Sequence, residues 1–367
     1  MRVALSHDWL TGMRGGERVL ELLCEGFPKG EIYTLIHNAA AMSDPINAHT
    51  IHTSALQRVP GIFKRYRYFL PFYPSVIKRM KPAPADLLLS TSHCIAKGLP
   101  RPRGARHVCY CFTPMRYAWT FYEEYFGNNP AKKMILKPVL DRIRQWDHDN
   151  SARVDRFVAI SKHVRQRIQT FYGRDADVVY PPVNTERCTP NSGGHDRFDL
   201  IVSALVPYKR IDIAIEAYNK LKYPLIIVGT GTEYERLRAL AGPHISFKGW
   251  ASDESILDWY RRCRMLIFPG EEDFGIVPVE AQACGKPVVA FGKGGATESI
   301  VDGETGIFFH EQNAEHLAAA ISSCGARDWD ATHIRKNAER FSEQNFIDGL
   351  AKSIHACMTE HSGNTRA

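Results

Sequence analysis

Two glutamates eight positions apart, Glu272 and Glu280, bracket the stretch F-P-G-E-E-D-F-G-I-V-P-V-E that begins at Phe268. The apolar run 265–268 has the length and residue types of a buried strand, and Pro269-Gly270 turns the chain at its end. Pro278, with its fixed φ and no N–H, suits the first position of a helix predicted over 278–284, which places Glu280 in the first turn. The amides of Phe274, Gly275 and Ile276 then form an electropositive cradle between the two carboxylates. Such a site suits a ligand that is anionic in the middle and rich in hydroxyls at both ends, and a nucleoside diphosphate sugar has that constitution. A solvated acidic loop beside a helix-capping glutamate is the plainer reading of the spacing alone. The Phe274-Gly275 pair and the A-x-A-x-G-x-P run over 281–287 tell against it.

Further reactive groups stand at strand ends. Lys209 and Arg210 follow a strand predicted over 199–204 and precede an apolar helix, where two cations can face a diphosphate and neutralise charge as a leaving group departs. Gly15 and Gly16 open an amphipathic helix, and their missing side chains let a ligand approach backbone N–H groups, although a glycine pair also serves a plain tight turn. His93 follows the strand predicted over 86–90, at the end where open α/β sheets bind ligands; a backbone-bonded histidine is the alternative. Arg116 and Tyr117, beside Trp119, could grip a glycan or only pack. Trp250 follows the strand predicted over 245–249, where a tryptophan can simply pack between domains. Ser161 reads as a helix N-cap.

The block E-D-F-G-I-V-P-V-E-A-Q-A-C-G-K-P-V-V-A, followed by G-K-G-G-A-T-E-S-I-V-D-G-E-T-G, resembles the E-x7-E signature of family 4 retaining glycosyltransferases. T-S-H-C-I-A-K-G over 91–98 is similar to the S-S-H-x-x-A-K-G block of members that build bacterial surface polysaccharides, and C-Y-C-F-T-P-M-R-Y-A-W over 109–119 is similar to a block of mannosyltransferase-like members. L-V-P-Y-K-R-I-D over 205–212 resembles R-L-V-x-x-K-G-x-D, with Ala204 in place of the usual Arg and Arg210 where Gly is common.

The resemblance implies an α/β chain of GT-B fold, two doubly wound Rossmann-like domains facing a cleft, with a C-terminal helix crossing back to the first. It assigns catalytic roles to His93, Lys209, Arg210 and Glu272. It assigns donor contacts to Gly15, Gly16, Lys209, Arg210, Trp250, Glu272, Phe274, Gly275, Ile276 and Glu280, and acceptor-side contacts to His93, Arg116 and Tyr117. The implied donor is GDP-mannose, with UDP- and dTDP-sugars open, and the implied acceptor is a lipid-linked oligosaccharide. In this family the acceptor attacks on the side from which the leaving group departs, and a donor phosphate oxygen takes its proton. No cofactor is implied and no metal is required, because cations and helix termini already face the phosphates.

These residues need two domains to position them, and 367 residues suit two of ordinary size. The expected division is an acceptor-side domain at 1–188, a Gly-rich linker at 189–197, a nucleotide-sugar domain at 198–340, and a returning helix with a frayed tail over 341–367. Composition, 44% apolar and 24% charged, is that of a soluble globular protein, and no run of about eighteen apolar residues offers a spanning helix. The N-terminus reads as a first strand and not a signal peptide. Nine cysteines without a C-x-x-C pair read as reduced thiols in the cytoplasm.

The net charge of +7 divides unevenly: residues 1–190 carry 28 Lys and Arg against 16 Asp and Glu, leaving 19 against 24 for the rest. The basic half needs an anionic partner. Cations mixed with aromatics over 58–81 suit either a protein lying on anionic headgroups or a core helix pair with a solvated basic face; the resemblance implies the former, at the inner face of the plasma membrane. No RNA-binding motif accompanies them, so nucleic acid is not expected. A nucleotide-sugar epimerase and a non-catalytic binding protein are the rival functions. A dinucleotide dehydrogenase is disfavoured, because no G-x-G-x-x-G follows the first strand.

Overall fold

Short apolar strands alternate with helices and pair into two separate sheets, every ladder parallel. The computed structural model describes residues 1–119, 130–191 and 193–359. The first sheet joins β1 (Val3–His7), β2 (Glu31–Thr34), β3 (Thr50–Thr53), β4 (Leu87–Ser92), β5 (Arg106–Cys111), β6 (Arg156–Ala159) and β7 (Ala176–Val178) in the order β3-β2-β1-β4-β5-β6-β7. The second joins β8 (Asp199–Val202), β9 (Leu225–Val228), β10 (Ile245–Gly249), β11 (Leu266–Phe268), β12 (Val288–Phe291) and β13 (Gly306–Phe309) in the order β10-β9-β8-β11-β12-β13. Helices cover the faces, so β1, β4 and β12 are buried along their whole length; β12 is apolar throughout, while β1 and β4 turn polar at their carboxyl ends, V-A-L-S-H and L-L-L-S-T-S. The edge strand β3 lacks such an apolar run: its four residues T-I-H-T alternate exposed with half-buried, and it is not among the predicted strands.

In each sheet one strand has crossovers leaving in opposite directions. β1 lies between β2 and β4, and β8 lies between β9 and β11. The loops leaving β1 and β4, or β8 and β11, diverge to opposite faces and open a crevice at the carboxyl edge, the place where open α/β sheets bind ligands.

The chain divides into two compact units, Met1–Tyr180 together with Ile347–Ala367, and Pro181–Phe346. The last helix, Glu343–Thr359, begins in the second unit and continues in the first, where a Cβ on Gly349 would stand 3.1 Å from Val179. Ser192 of the expected linker and the tail 361–367 lie outside the described residues.

Buried charge fixes the neighbourhood of β4. Lys97, 2% exposed, is ion-paired with Asp147 on the helix Pro130–Ser151, and Asp147 also accepts from Trp119 Nε1 at 2.8 Å and Tyr172 OH at 2.6 Å. Gly98 follows because a Cβ there would meet Trp146 at 2.4 Å. The Lys-Gly of the 91–98 block thus docks the loop after β4 onto that helix.

Two sequence-based boundaries need correction. The helix predicted over 278–284 runs Ile276–Ala283, since Gly275 at φ 89° starts it two residues earlier. Pro278 is its third residue, tolerated because the first four N–H groups of a helix have no intrahelical acceptor. Glu280 therefore falls in the second turn and not the first.

Candidate functional site

At the carboxyl edge of the second sheet, the loops after β8 and β11 touch backbone to backbone. Pro207–Lys209 form a single 3-10 turn, and Arg210, at φ 52°, starts the helix Ile211–Leu221 from the left-handed region. A side chain there costs roughly 1–2 kcal/mol, which accounts for the glycine common at this place in the resembling motif. Gly270 permits the contact from the other loop, since a Cβ on it would lie 2.8 Å from Lys209 Cα. The contact brings Lys209 and Glu272 into an ion pair, 13% and 22% exposed. Arg210 is tied to Asp212 Oδ1 at 3.2 Å and to Gln312 Oε1 at 3.2 Å. Each of the two cations thus sits against a carboxylate that a phosphate could replace.

The loop carrying Glu272 is held from below by the glycines after β12. A Cβ on Gly294 would approach Glu272 O to 2.4 Å, one on Gly295 would approach Phe274 Cα to 2.2 Å, and Gly295 N–H donates to Glu272 O at 2.8 Å. That close seating sets the loop into the helix from Ile276, whose leading N–H groups carry the positive end of the helix dipole. Glu280 is half-buried, and its Oε2 accepts from the buried Tyr260 hydroxyl at 2.8 Å. Trp250, just past β10, is 79% exposed.

A second cluster occupies the carboxyl edge of the first sheet. His7 ends β1 and His93 follows β4. His7 Nδ1 and Thr91 Oγ1 share a hydrogen bond of 2.7 Å, and the Thr91 hydroxyl also lies 3.2 Å from Ser6 O. Its Nε2 faces Glu17, 3.9 Å away on the helix Gly15–Gly26. Gly16 lies close by: a Cβ on it would stand 3.3 Å from Phe112 and 3.6 Å from His7 Cε1. His93 meets Asp8 and the ring of Trp9, with centroids 4.7 Å apart at 88°. Arg116 and Tyr117 open the short helix Arg116–Trp119, and Tyr117 packs in the apolar cluster with Leu70, Tyr73 and Ile95.

Of the sequence-based residues, Lys209, Arg210, Trp250, Glu272, Phe274, Gly275, Ile276 and Glu280 belong to the second unit, and Gly15, Gly16, His93, Arg116 and Tyr117 to the first. Asp8, His7 and Glu17 were missed. The signal available was His-Asp directly after an apolar strand, at the end where ligands bind.

The expectation that no metal is required assumes that no Asp-x-Asp triplet is present, and this needs correction: triplets occur at 147–149, 175–177 and 328–330. Asp147 is bound to Lys97, Asp175 to Arg165 and Asp177 to Arg156, while Asp330 caps the helix Ala331–Ala338. Among the described residues no three His, Cys, Asp or Glu side chains group as metal ligands.

Two separate parallel α/β sheets, each with polar groups gathered at its crevice, are the architecture of the GT-B fold. Solved structures of that fold superpose over nearly the whole chain. The lipopolysaccharide outer core galactosyltransferase WaaB, apo form, gives a TM-score of 0.68 at 17% identity, covering 97% of this chain and 99% of that one. HepE of Anabaena in complex with UDP gives 0.71 at 16%, covering 97% and 100%.

Two family models match in succession, Glycosyltransferase Family 4 over residues 13–187 and Glycosyl transferases group 1 over residues 185–341. The chain belongs to the group 1, family 4 glycosyltransferases. Among its relatives, an uncharacterised glycosyltransferase of Methanocaldococcus jannaschii is 29% identical over 195 residues, 52% of this chain and 55% of that protein. The D-inositol 3-phosphate glycosyltransferase of Acidothermus cellulolyticus is 30% identical over 238 residues, 55% and 53%. The chain spans about half the length of these curated relatives.

Proposed function

We propose that the protein is a retaining glycosyltransferase that moves a hexose, mannose from GDP-mannose, onto a lipid-linked oligosaccharide of bacterial surface polysaccharide synthesis. The observation that carries this reading is the Lys209–Glu272 pair at the mouth of the helix Ile276–Ala283, with Glu280 one turn beyond. The diphosphate takes Lys209 from Glu272 and lies on the amides of Phe274, Gly275 and Ile276. Glu272 is released to the sugar hydroxyls, and Glu280 binds those of the ribose. Arg210 adds charge where Ala204 leaves out the family's usual arginine. Gly15, Gly16 and His93 serve the sugar and acceptor side, with Arg116, Tyr117 and Trp250 bordering acceptor and base. Positioning and charge stabilisation lower the barrier, and a donor phosphate oxygen removes the acceptor proton.

GDP-mannose is supported by the block over 109–119. A UDP-hexose is the second reading, favoured by the fold shared with HepE, whose structures hold UDP and UDP-glucose. Thermal unfolding with a panel of nucleotide sugars separates them, since a ligand at a hundred times its Kd stabilises by about 2.7 kcal/mol. A rise with GDP-mannose alone supports the first reading, a rise with UDP-sugars alone replaces it with the second, and no rise with any donor removes both.

The acceptor reading places the first unit on an anionic membrane surface. No acidic residue occurs over 45–85, while Arg58, Lys64, Arg65, Arg67, Lys78, Arg79 and Lys81 do. Ile62, Tyr66, Leu70, Tyr73 and Ile77 fill the core, and Phe63, Tyr68 and Phe72 stay 38%, 81% and 61% exposed among those cations. Headgroup attraction of roughly 1 kcal/mol per cation, with aromatic side chains at the interface, is sufficient for reversible binding. Among the described residues no helix is long and apolar enough to cross a membrane. Flotation is expected with vesicles containing phosphatidylglycerol, weakening with salt and with Phe63, Tyr68 and Phe72 all replaced by Ser. Equal flotation of wild type and triple variant would rule out docking through this face.

A further inference from the structure

Asp8 sits at the end of β1 with no exposed surface. Its Oδ1 accepts from the N–H groups of Ile95 and Ala96 at 2.6 Å each, and its Oδ2 from the N–H of His93 at 2.7 Å and from His93 Nδ1 at 2.7 Å. Burial opposes the charged form, but the charge and hydrogen bonds of His93 and the nearby His7 outweigh it and hold the carboxyl well below the usual range. An ionised carboxylate only accepts, so the proton between Asp8 and His93 resides on Nδ1. The ring is 30% exposed, edge-on to Trp9, and among the described residues Nε2 makes no hydrogen bond. Its neighbour His7 is bonded through Nδ1 to Thr91 Oγ1 at 2.7 Å.

We propose that Asp8 is a positioning residue that fixes His93 as the Nδ1–H tautomer and so presents Nε2 as a hydrogen-bond acceptor to a hydroxyl of the sugar ligand. Only the identity of the ligand rests on the function proposed above. With the tautomer reversed, the ring would donate instead, and a hydroxyl aligned to donate would lose its acceptor. The carboxylate also ties three backbone N–H groups of the loop after β4, so the direction of the ring and the course of its loop are set by one side chain.

The test is ¹⁵N NMR of the full chain labelled at histidine, at mildly alkaline pH, with the His93 signals identified by their loss in His93→Gln. The wild type is expected to show a protonated Nδ1 and a bare Nε2. In Asp8→Asn the carboxamide oxygen can keep Ile95 and Ala96 while its NH₂ turns to the ring, so the protonated nitrogen is expected to switch to Nε2. Transfer should then fall by about 10²-fold in kcat/KM, while the thermal shift produced by the nucleoside diphosphate alone stays unchanged. A bare Nδ1 in the wild type overturns the proposal, and so does an Asp8→Asn enzyme that switches tautomer and transfers at the wild-type rate. If Asp8→Asn does not fold, the wild-type spectrum decides. If the wild type transfers no sugar, the function proposed above fails, and the spectrum still decides what Asp8 does.

Discussion

Lys209→Ala is expected to lower turnover at saturating donor by about 10²–10³-fold, the usual loss when one preorganised charge facing a developing anion is removed. The ammonium lies where the diphosphate must accept the electron pair of the breaking glycosidic bond, so its attraction grows as charge moves from sugar to phosphate. An interaction stronger in the transition state than in the bound donor appears in kcat and not only in KM. The loss should not come from unfolding. Lys209 and Glu272 are 13% and 22% exposed, so water can solvate the glutamate left behind, and Gly270 against the Lys209 backbone holds the two loops together without the side chain. Lys209→Arg keeps the charge and should recover part of the rate, limited by the space that Gly270 leaves. Wild-type turnover in Lys209→Ala with saturating donor would contradict the assigned role.

The second large effect concerns stability. His107, in the middle of the first sheet, is 1% exposed, and burial drives its pKa from the ordinary 6.5 down to about 3, with Asp155 opposing and Arg101 and Lys97 reinforcing. Its Nε2 pairs with Ser90 Oγ at 2.8 Å, a bond the neutral ring can make. Above pH 6.5 neither folded nor unfolded chain protonates this residue, and its contribution is complete. As pH falls from 6.5 towards 3, the unfolded chain takes up a proton that the folded chain refuses, and stability is lost at about 1.4 kcal/mol per pH unit. The wild type should therefore lose about 2.7 kcal/mol more than His107→Gln between pH 7 and pH 4.5. Urea unfolding of both proteins at the two pH values measures this difference, and parallel losses would show that His107 does not carry it.

How far the fold could be read from sequence followed how local each cause was. Buried parallel strands announce themselves by apolar runs, the whole of β12 and the first three residues of β1 and β4, and the Pro-Gly turn and Gly275 marked the Glu272 loop within a few residues. Ser161 and Ser252 cap helices as their types suggest, accepting from Val164 and Ser255. What escaped depends on partners far along the chain. Asp8 is given its role by residues 85 to 88 positions away, and Lys97 is a structural ion-pair partner only because Asp147 arrives from 50 positions on. The helix Ile276–Ala283 began early for a different reason: proline's lost N–H marks only one of four places where it is tolerated.

The most direct test of the account is a crystal structure with an intact nucleotide sugar. Pyrophosphate oxygens are expected within hydrogen-bond reach of Lys209 Nζ and of the amides at Phe274, Gly275 and Ile276, with the ribose hydroxyls on Glu280, and Glu272 parted from Lys209 and turned to the sugar. Density for the nucleotide away from the β8 and β11 loops, or a bound diphosphate that leaves the Lys209–Glu272 pair closed, would contradict it.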